Sequence, residues 1–207
     1  MLELYTDSSP NGFKITIALE ELNLPYHLNH IQISRGNHQQ PAFLQLNPHG
    51  RIPVIYDPQT EITLFESAAI LLYLAEKTGQ LLPAIPKQKW EAIKWLQFHS
   101  ASLGPIIGQW VNFAIFDKSP KPEIVERYFN MTHKALAVLD KQLENAPYLA
   151  GSDYSIADIA NFGWLHIAQV IAFDFSQHTH LTKWYDRVAL RPAVMKGITL
   201  PAPATEA

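Results

Sequence analysis

Cysteine is absent from the 207 residues, which removes disulfide stapling and any redox thiol belonging to the protein itself. Thiol chemistry would need a sulfur carried by a ligand. Neither sign of charge dominates: 16 Lys and Arg stand against 19 Asp and Glu. The net charge of -3 lacks the basic footprint of a nucleic-acid or acidic-membrane binder, so neither partner is expected. Nine histidines are scattered without HExxH spacing, and without cysteine there is no zinc signature, so no metal site is expected. Long apolar runs are missing too. The longest aliphatic stretch, Ala68 to Ala75, is far too short to span a bilayer, and Met1-Leu2-Glu3 carries no basic n-region. The expected location is cytoplasmic.

What is present suits a globular chain: 47% hydrophobic residues and enough length for one large or two small cores. The first part alternates short apolar segments with amphipathic ones. Leu2 to Thr6 reads as a strand, Asn11 to Leu22 as a helix with Ile15, Leu19 and Leu22 on one face, and Tyr26 to Ile33 as a second strand. Pro41 to Leu46 reads as a short helix, Val54 to Asp57 and Ile62 to Phe65 as a hairpin, and Glu66 to Thr78 as another helix. The β-α-β-α-β-β-α order predicts a sheet with helices packed on it.

Gly79, Pro83 and Pro86 punctuate the chain and mark a domain boundary. Beyond it the strands stop. Gln88 to Ile115 and Glu123 to Leu143 read as long helices, the second with a stripe of Tyr128, Met131, Ala135, Val138 and Gln142. The expected division is 1–80, a linker at 81–85, an all-helical domain at 86–200, and a loose tail at 201–207. Ser155-Ile156-Ala157-Asp158 has the spacing of a capping box, with Tyr154 and Ile159 as its staple, so Asp158 is read as folding hardware and not as a general acid.

Arg51-Ile52-Pro53-Val54-Ile55, then Leu64-Phe65-Glu66-Ser67 and an apolar helix, is the most informative stretch. The Ile-Pro step offers an unpaired strand edge; Glu66 and Ser67 bring a carboxylate, a hydroxyl and helix-start N–H groups to one point. Those groups suit a small zwitterionic peptide. An ordinary strand-turn-strand-helix junction contains the same residue types.

Together these features give the chain the fold class α/β plus all-α, and it resembles the cytosolic glutathione transferases from Leu2 to about Met195. Leu4-Tyr5, Ser9-Pro10-Asn11-Gly12, Lys14-Ile15-Thr16, Leu64-Phe65-Glu66-Ser67 and Ile70 to Gly79 are most similar to the Nu-class and yeast prion-protein-like branch. In that branch a Thr commonly stands where this chain has Ser9; a hydroxyl is retained. The resemblance implies a thioredoxin-like N-terminal domain, a helical C-terminal domain, a homodimer, and glutathione as bound co-substrate.

It further implies that Ile52 pairs through its backbone with the cysteinyl unit of glutathione and that the Ile52-Pro53 bond is cis. Glu66 would accept from the γ-glutamyl ammonium and Ser67 would hold the neighbouring carboxylate; as a plain helix cap, Ser67 would do neither. Arg51 and His38 are offered to the glycyl end, or else are solvated loop side chains. Arg127 would reach glutathione across a dimer, although alone it reads as solvent-facing.

A free thiol near pKa 8.5 needs roughly 2.7 kcal/mol of selective thiolate stabilisation to fall by about two units. Ser9 and Asn11, at the start of a helix, have the groups to supply it; their other role is turn and cap. Tyr5 is read as packing in or behind the sheet. Trp110, Phe113, Phe116 and Trp164 would line an acceptor pocket, the core or a dimer interface. With no cysteine, the leading expectation is a disulfide-bond oxidoreductase whose nucleophile is glutathione itself. Conjugation to electrophilic small molecules, and a non-catalytic interaction module on the same fold, are the alternatives.

Overall fold

Pro10 pre-sets the first helical φ, and Ser9, in an extended conformation (φ -159°, ψ 159°), accepts the Gly12 amide at 3.0 Å. These two residues start helix α1, Pro10–Glu21, in a computed structural model that describes residues 1–202 of the chain. The expected tail residues 203–207 lie outside the described residues. Pro201, assigned to that tail, is buried.

Strand β1 (Leu2–Thr6) alternates buried and half-buried side chains, as a strand packed on one face should. It pairs in parallel with β2 (Tyr26–His30) and antiparallel with β3 (Val54–Asp57), which pairs with β4 (Ile62–Phe65) to give the order β2-β1-β3-β4. β2 is three residues shorter than expected. After His30 the chain is captured by Asp7, whose carboxylate accepts the Ile33 amide at 2.9 Å and faces His30 Nε2 at 2.9 Å, so it turns instead of extending.

Helix α2 (Pro41–Leu46) and the hairpin keep the limits read from sequence, whereas α3 (Ser67–Thr78) starts one residue later than expected, with Glu66 left outside it as the N-cap. Gly79, at φ +67°, stops α3 and returns its amide to the Ala75 carbonyl at 2.9 Å.

The chain folds as two compact units: Met1–Gln80 joined by the C-terminal segment from Leu190, and Leu81–Ala189. The sequence places the end of the helical domain at residue 200. Instead the last helix, which is α9 (Pro192–Gly197), packs on α1. Thr16 Oγ1 donates to the Gly197 carbonyl at 2.7 Å, and Arg191 clamps Glu21 with bonds of 2.6 and 2.8 Å. A Cβ on Gly197 would meet the Ile17 backbone at 2.7 Å, so glycine permits the approach. This return explains why Gly12 through Leu19 are all buried, where a single buried face was expected.

In the second unit, α4 (Pro86–Phe98) runs through a π turn at 99–103 into α5 (Gly104–Val111) and a second π turn at 112–116. The sequence reads this as a single helix. Pro105 has no N–H to donate and its ring crowds the carbonyl four residues back, which accounts for the first π turn.

Helix α6 (Pro122–Leu143) buries Thr132, Ala135, Leu136, Leu139 and Leu143. The expected stripe is therefore turned, and Val138 is exposed, because the three leucines bring more apolar area to the core than Val138 and Gln142.

Helix α7 (Ile156–Val170) starts at the expected capping box. Asp158 accepts from the amides of Leu149 (3.0 Å) and Ser155 (2.9 Å) and from Trp184 Nε1 (2.8 Å), the last on α8 (Thr179–Ala189). Full burial pushes its carboxyl pKa up despite those bonds, so the residue is a structural node. Among the described residues no helix is long and apolar enough to cross a membrane, and no group of His, Asp and Glu is arranged to hold a metal.

Candidate active site

Strand directions bring the candidate residues to one end of the sheet. β2 is parallel to β1, β3 antiparallel, and β4 runs antiparallel to β3, so β1, β2 and β4 all finish where β3 begins. Ser9 and Asn11 follow β1, Ile52-Pro53 precede β3, Glu66 and Ser67 follow β4, and the connection from β2 carries His38 and Arg51. Val54 faces Phe65, so continuing the register sets Pro53 beside Glu66.

At the start of α1, Ser9 Oγ accepts the Gly12 amide, which uses one lone pair and leaves the hydroxyl hydrogen as a donor. Capping and sulfur stabilisation are thus compatible in one hydroxyl. A Cβ on Gly12 would lie 2.3 Å from the Asp7 carbonyl and 3.2 Å from Ser9 Oγ, so glycine allows the tight turn that holds Ser9 here.

Lys14 is the residue sequence reasoning missed. It is 2% exposed on α1, and its Nζ donates to Asn11 Oδ1 at 2.8 Å and to Ser67 Oγ at 3.3 Å. Desolvation lowers its pKa from 10.5 to about 7, opposed by the Glu66 carboxylate. One lysine thereby joins the two ends of the site, 53 positions apart in sequence. The available signal was a charge inside the run Phe13 to Leu19, otherwise almost wholly apolar.

Glu66 adopts φ 71°, ψ 109°, a conformation that side chains rarely occupy and that costs about 1 to 3 kcal/mol. Its exposed carboxylate stands immediately before α3, and no side chain caps that helix. The first intrahelical bond runs from the Ile70 amide to the Glu66 carbonyl at 3.0 Å, so the amides of Ser67, Ala68 and Ala69 have no acceptor within the helix. A carboxylate followed by helix-start N–H groups can answer both charges of an amino-acid head.

The Ile52-Pro53 bond is cis, and Ile52 packs with Phe43 and Val54. Tyr5 lies against the same cluster, as expected, and its phenol pKa is raised, chiefly by desolvation. Asn47, buried at 2% exposure, shapes the approach: its Nδ2 donates to the Arg51 carbonyl at 2.6 Å and its Oδ1 accepts the His49 amide at 3.0 Å. It is a second organising residue that sequence reasoning missed.

Gln39 Nε2 donates to the Gly50 carbonyl at 3.4 Å, linking the 37–39 turn to the residue before Arg51. His38 Nδ1 is buried with no hydrogen-bond partner, and Arg51 is exposed. Arg127 is exposed on α6, in the other unit.

The four aromatics do not share one environment. Trp110 is buried edge-on to Phe173, Phe113 stacks on Tyr128, Trp164 meets Gly108, and Phe116 is exposed.

The chain matches a family model for the glutathione S-transferase N-terminal domain over residues 8–77 and one for the C-terminal domain over residues 103–192. It is 38% identical over 198 residues to the disulfide-bond oxidoreductase YfcG of Escherichia coli, covering 93% of this chain and 92% of that protein. Its structure is similar to a glutathione transferase homolog of Lodderomyces elongisporus with two glutathione molecules per subunit: TM-score 0.91, 34% identity, 97% of this chain and 98% of the other. A glutathione transferase of Pseudomonas putida with one glutathione disulfide per subunit gives a TM-score of 0.90 at 35% identity, covering 97% of this chain and 91% of the other.

Proposed function

We propose that this chain, which belongs to the glutathione S-transferase family, is a glutathione-dependent disulfide-bond oxidoreductase that takes its reactive sulfur from bound glutathione. The observation that carries the reading is that a chain without cysteine brings Asn11 and Ser67 to a shared lysine, so that a thiol-stabilising helix start adjoins a site for an amino-acid head. A peptide carrying its own thiol fits that pair of sites.

Glu66 holds the γ-glutamyl ammonium, while Ser67 and the amides of α3 hold the adjacent carboxylate. The backbone of Ile52, beside cis Pro53, pairs with the cysteinyl unit. His38, with its unpartnered Nδ1, and Arg51 take the glycyl end. Ser9 and Asn11 donate to the sulfur and favour its thiolate; a charge-assisted hydrogen bond contributes about 1.5 to 3 kcal/mol. In a homodimer, Arg127 reaches glutathione across the interface.

Glutathione is a substrate and supplies the electrons. One glutathione sulfur bonds to a sulfur of the target disulfide and displaces the other as a thiolate; a second glutathione displaces the remaining half. Two glutathione thiols become one disulfide, one target disulfide becomes two thiols, and the two protons pass from the first pair to the second. The chain's residues bind, orient and stabilise charge without being oxidised.

Parallel assays with a glutathione mixed disulfide and a chloronitroaromatic acceptor test this. Turnover of the disulfide is expected; robust conjugation with no disulfide reduction would replace the reading with a conjugating transferase. The cytoplasm, where glutathione keeps thiols reduced, is the compartment this chemistry fits.

A further inference from the structure

A lysine with 2% exposure on a helix is costly where leucine or methionine would pack without desolvation. Lys14 is nevertheless placed between Asn11 and Ser67, on α1 and α3 respectively, with the Glu66 charge beside it. Its chemistry is asymmetric. An ammonium is all donor, so the Asn11 atom that it meets at 2.8 Å must be the amide oxygen, and Ser67 Oγ must accept. A neutral amine keeps N–H donors but adds a lone pair that can accept, so it is the ammonium that imposes this polarity.

We propose that Lys14 is a positioning residue for glutathione: by occupying Asn11 Oδ1 and Ser67 Oγ it commits the Asn11 NH2 and the Ser67 hydroxyl hydrogen to the ligand. An asparagine amide has nearly the same shape in its two flipped states, but one offers a donor to a thiolate and the other a repelling oxygen. A serine hydroxyl rotates just as freely between donating and accepting. Lys14 removes both freedoms with one group, so the sulfur and the γ-glutamyl carboxylate each meet hydrogen instead of oxygen. Oriented donors need no reorganisation when the negative charge forms. The inference rests on the proposed glutathione site, and goes beyond it in assigning the polarity of two contacts to Lys14.

The test uses the full-length protein and Lys14→Met, which keeps an apolar stem of similar length without donors. Folding is checked by circular dichroism and melting. Calorimetry and disulfide-reduction kinetics are then measured for wild type, Lys14→Met, Asn11→Ala, Ser67→Ala and the two double variants carrying Lys14→Met.

Lys14→Met is expected to lower kcat and to raise the glutathione Kd, with kcat/KM falling about ten- to a hundredfold. Adding it to Asn11→Ala should cost little further kcat, and adding it to Ser67→Ala little further Kd, because the group it orients is already gone. Full multiplication of the losses, or wild-type constants in Lys14→Met, overturns the proposal. If wild type binds no glutathione, the site reading itself fails and takes this inference with it; if wild type binds and turns over while Lys14→Met matches it, only the inference fails.

Should Lys14→Met not fold, the wild-type Asn11 side-chain amide is followed by nitrogen-15 resonance during a glutathione titration. Both NH2 protons are expected to shift. Their constancy while other resonances move overturns the assignment.

Discussion

Asn47 spans the bend before β3 by donating from Nδ2 to the Arg51 carbonyl at 2.6 Å, while the Asn47 carbonyl accepts the Gly50 amide at 2.9 Å. The side chain thus fixes the backbone immediately before Ile52. Removing it loses two part-buried hydrogen bonds, together about 1 to 3 kcal/mol. Asn47→Ala is expected to lower urea-unfolding stability by that amount and to weaken glutathione binding without a matching fall in kcat. Unchanged calorimetric affinity would separate the bend from the site.

The backbone of Glu66 is held at φ 71° while its carboxylate stands at the site. Glycine tolerates that conformation without a Cβ clash. Glu66→Gly is therefore expected to gain about 1 kcal/mol of stability by relieving strain and to lose about ten- to a hundredfold in glutathione affinity. Denaturant midpoint and calorimetry read the two effects separately. Stability no higher than that of Glu66→Ala, which removes the same carboxylate but keeps the Cβ, would show that the conformation is not strained.

Burial lowers the Lys14 pKa from 10.5 to about 7, with Glu66 only partly offsetting it. Between those values the unfolded chain holds a proton that the folded chain has released, so stability rises with pH across the window and falls as pH drops through 7. The slope is at most about 1.4 kcal/mol per pH unit. Wild type minus Lys14→Met, measured by urea unfolding from pH 6 to 10, should show this rise. A flat difference would mean that Lys14 stays charged.

Asp158 is buried with bonds to Leu149, Ser155 and Trp184, and no sheet-end residue is among its partners. Asp158→Ala is expected to destabilise the protein by about 3 kcal/mol or more, because four buried donors, two of them on Ser155, lose their acceptor. The glutathione Kd of the folded protein should not move. Loss of affinity at full folding would place Asp158 among the functional residues.

Local signals in the sequence were enough for elements bounded by strong punctuation. Pro41 sets the start of α2, the turn chemistry around Asp57 and Glu61 closes the hairpin, and Ser155 with Asp158 starts α7. Elements shaped by distant partners were less legible. β2 stops early because Asp7 captures Ile33, α6 turns its leucines inward, and α9 leaves the helical unit to cover α1.

By itself the sequence determined the α/β-then-helical order, the absence of any cysteine thiol within the chain, and the adjacency of Glu66 and Ser67 ahead of an apolar helix, since these are written in composition and neighbouring residues. Tertiary structure decided which side chains share a hydrogen bond. Lys14 shows in sequence only as a charge inside an apolar run, and its meeting with Ser67 depends on the packing of α1 against α3. Donor and acceptor polarity is set within about 3 Å, a scale that sequence spacing does not reach and that only the folded chain fixes.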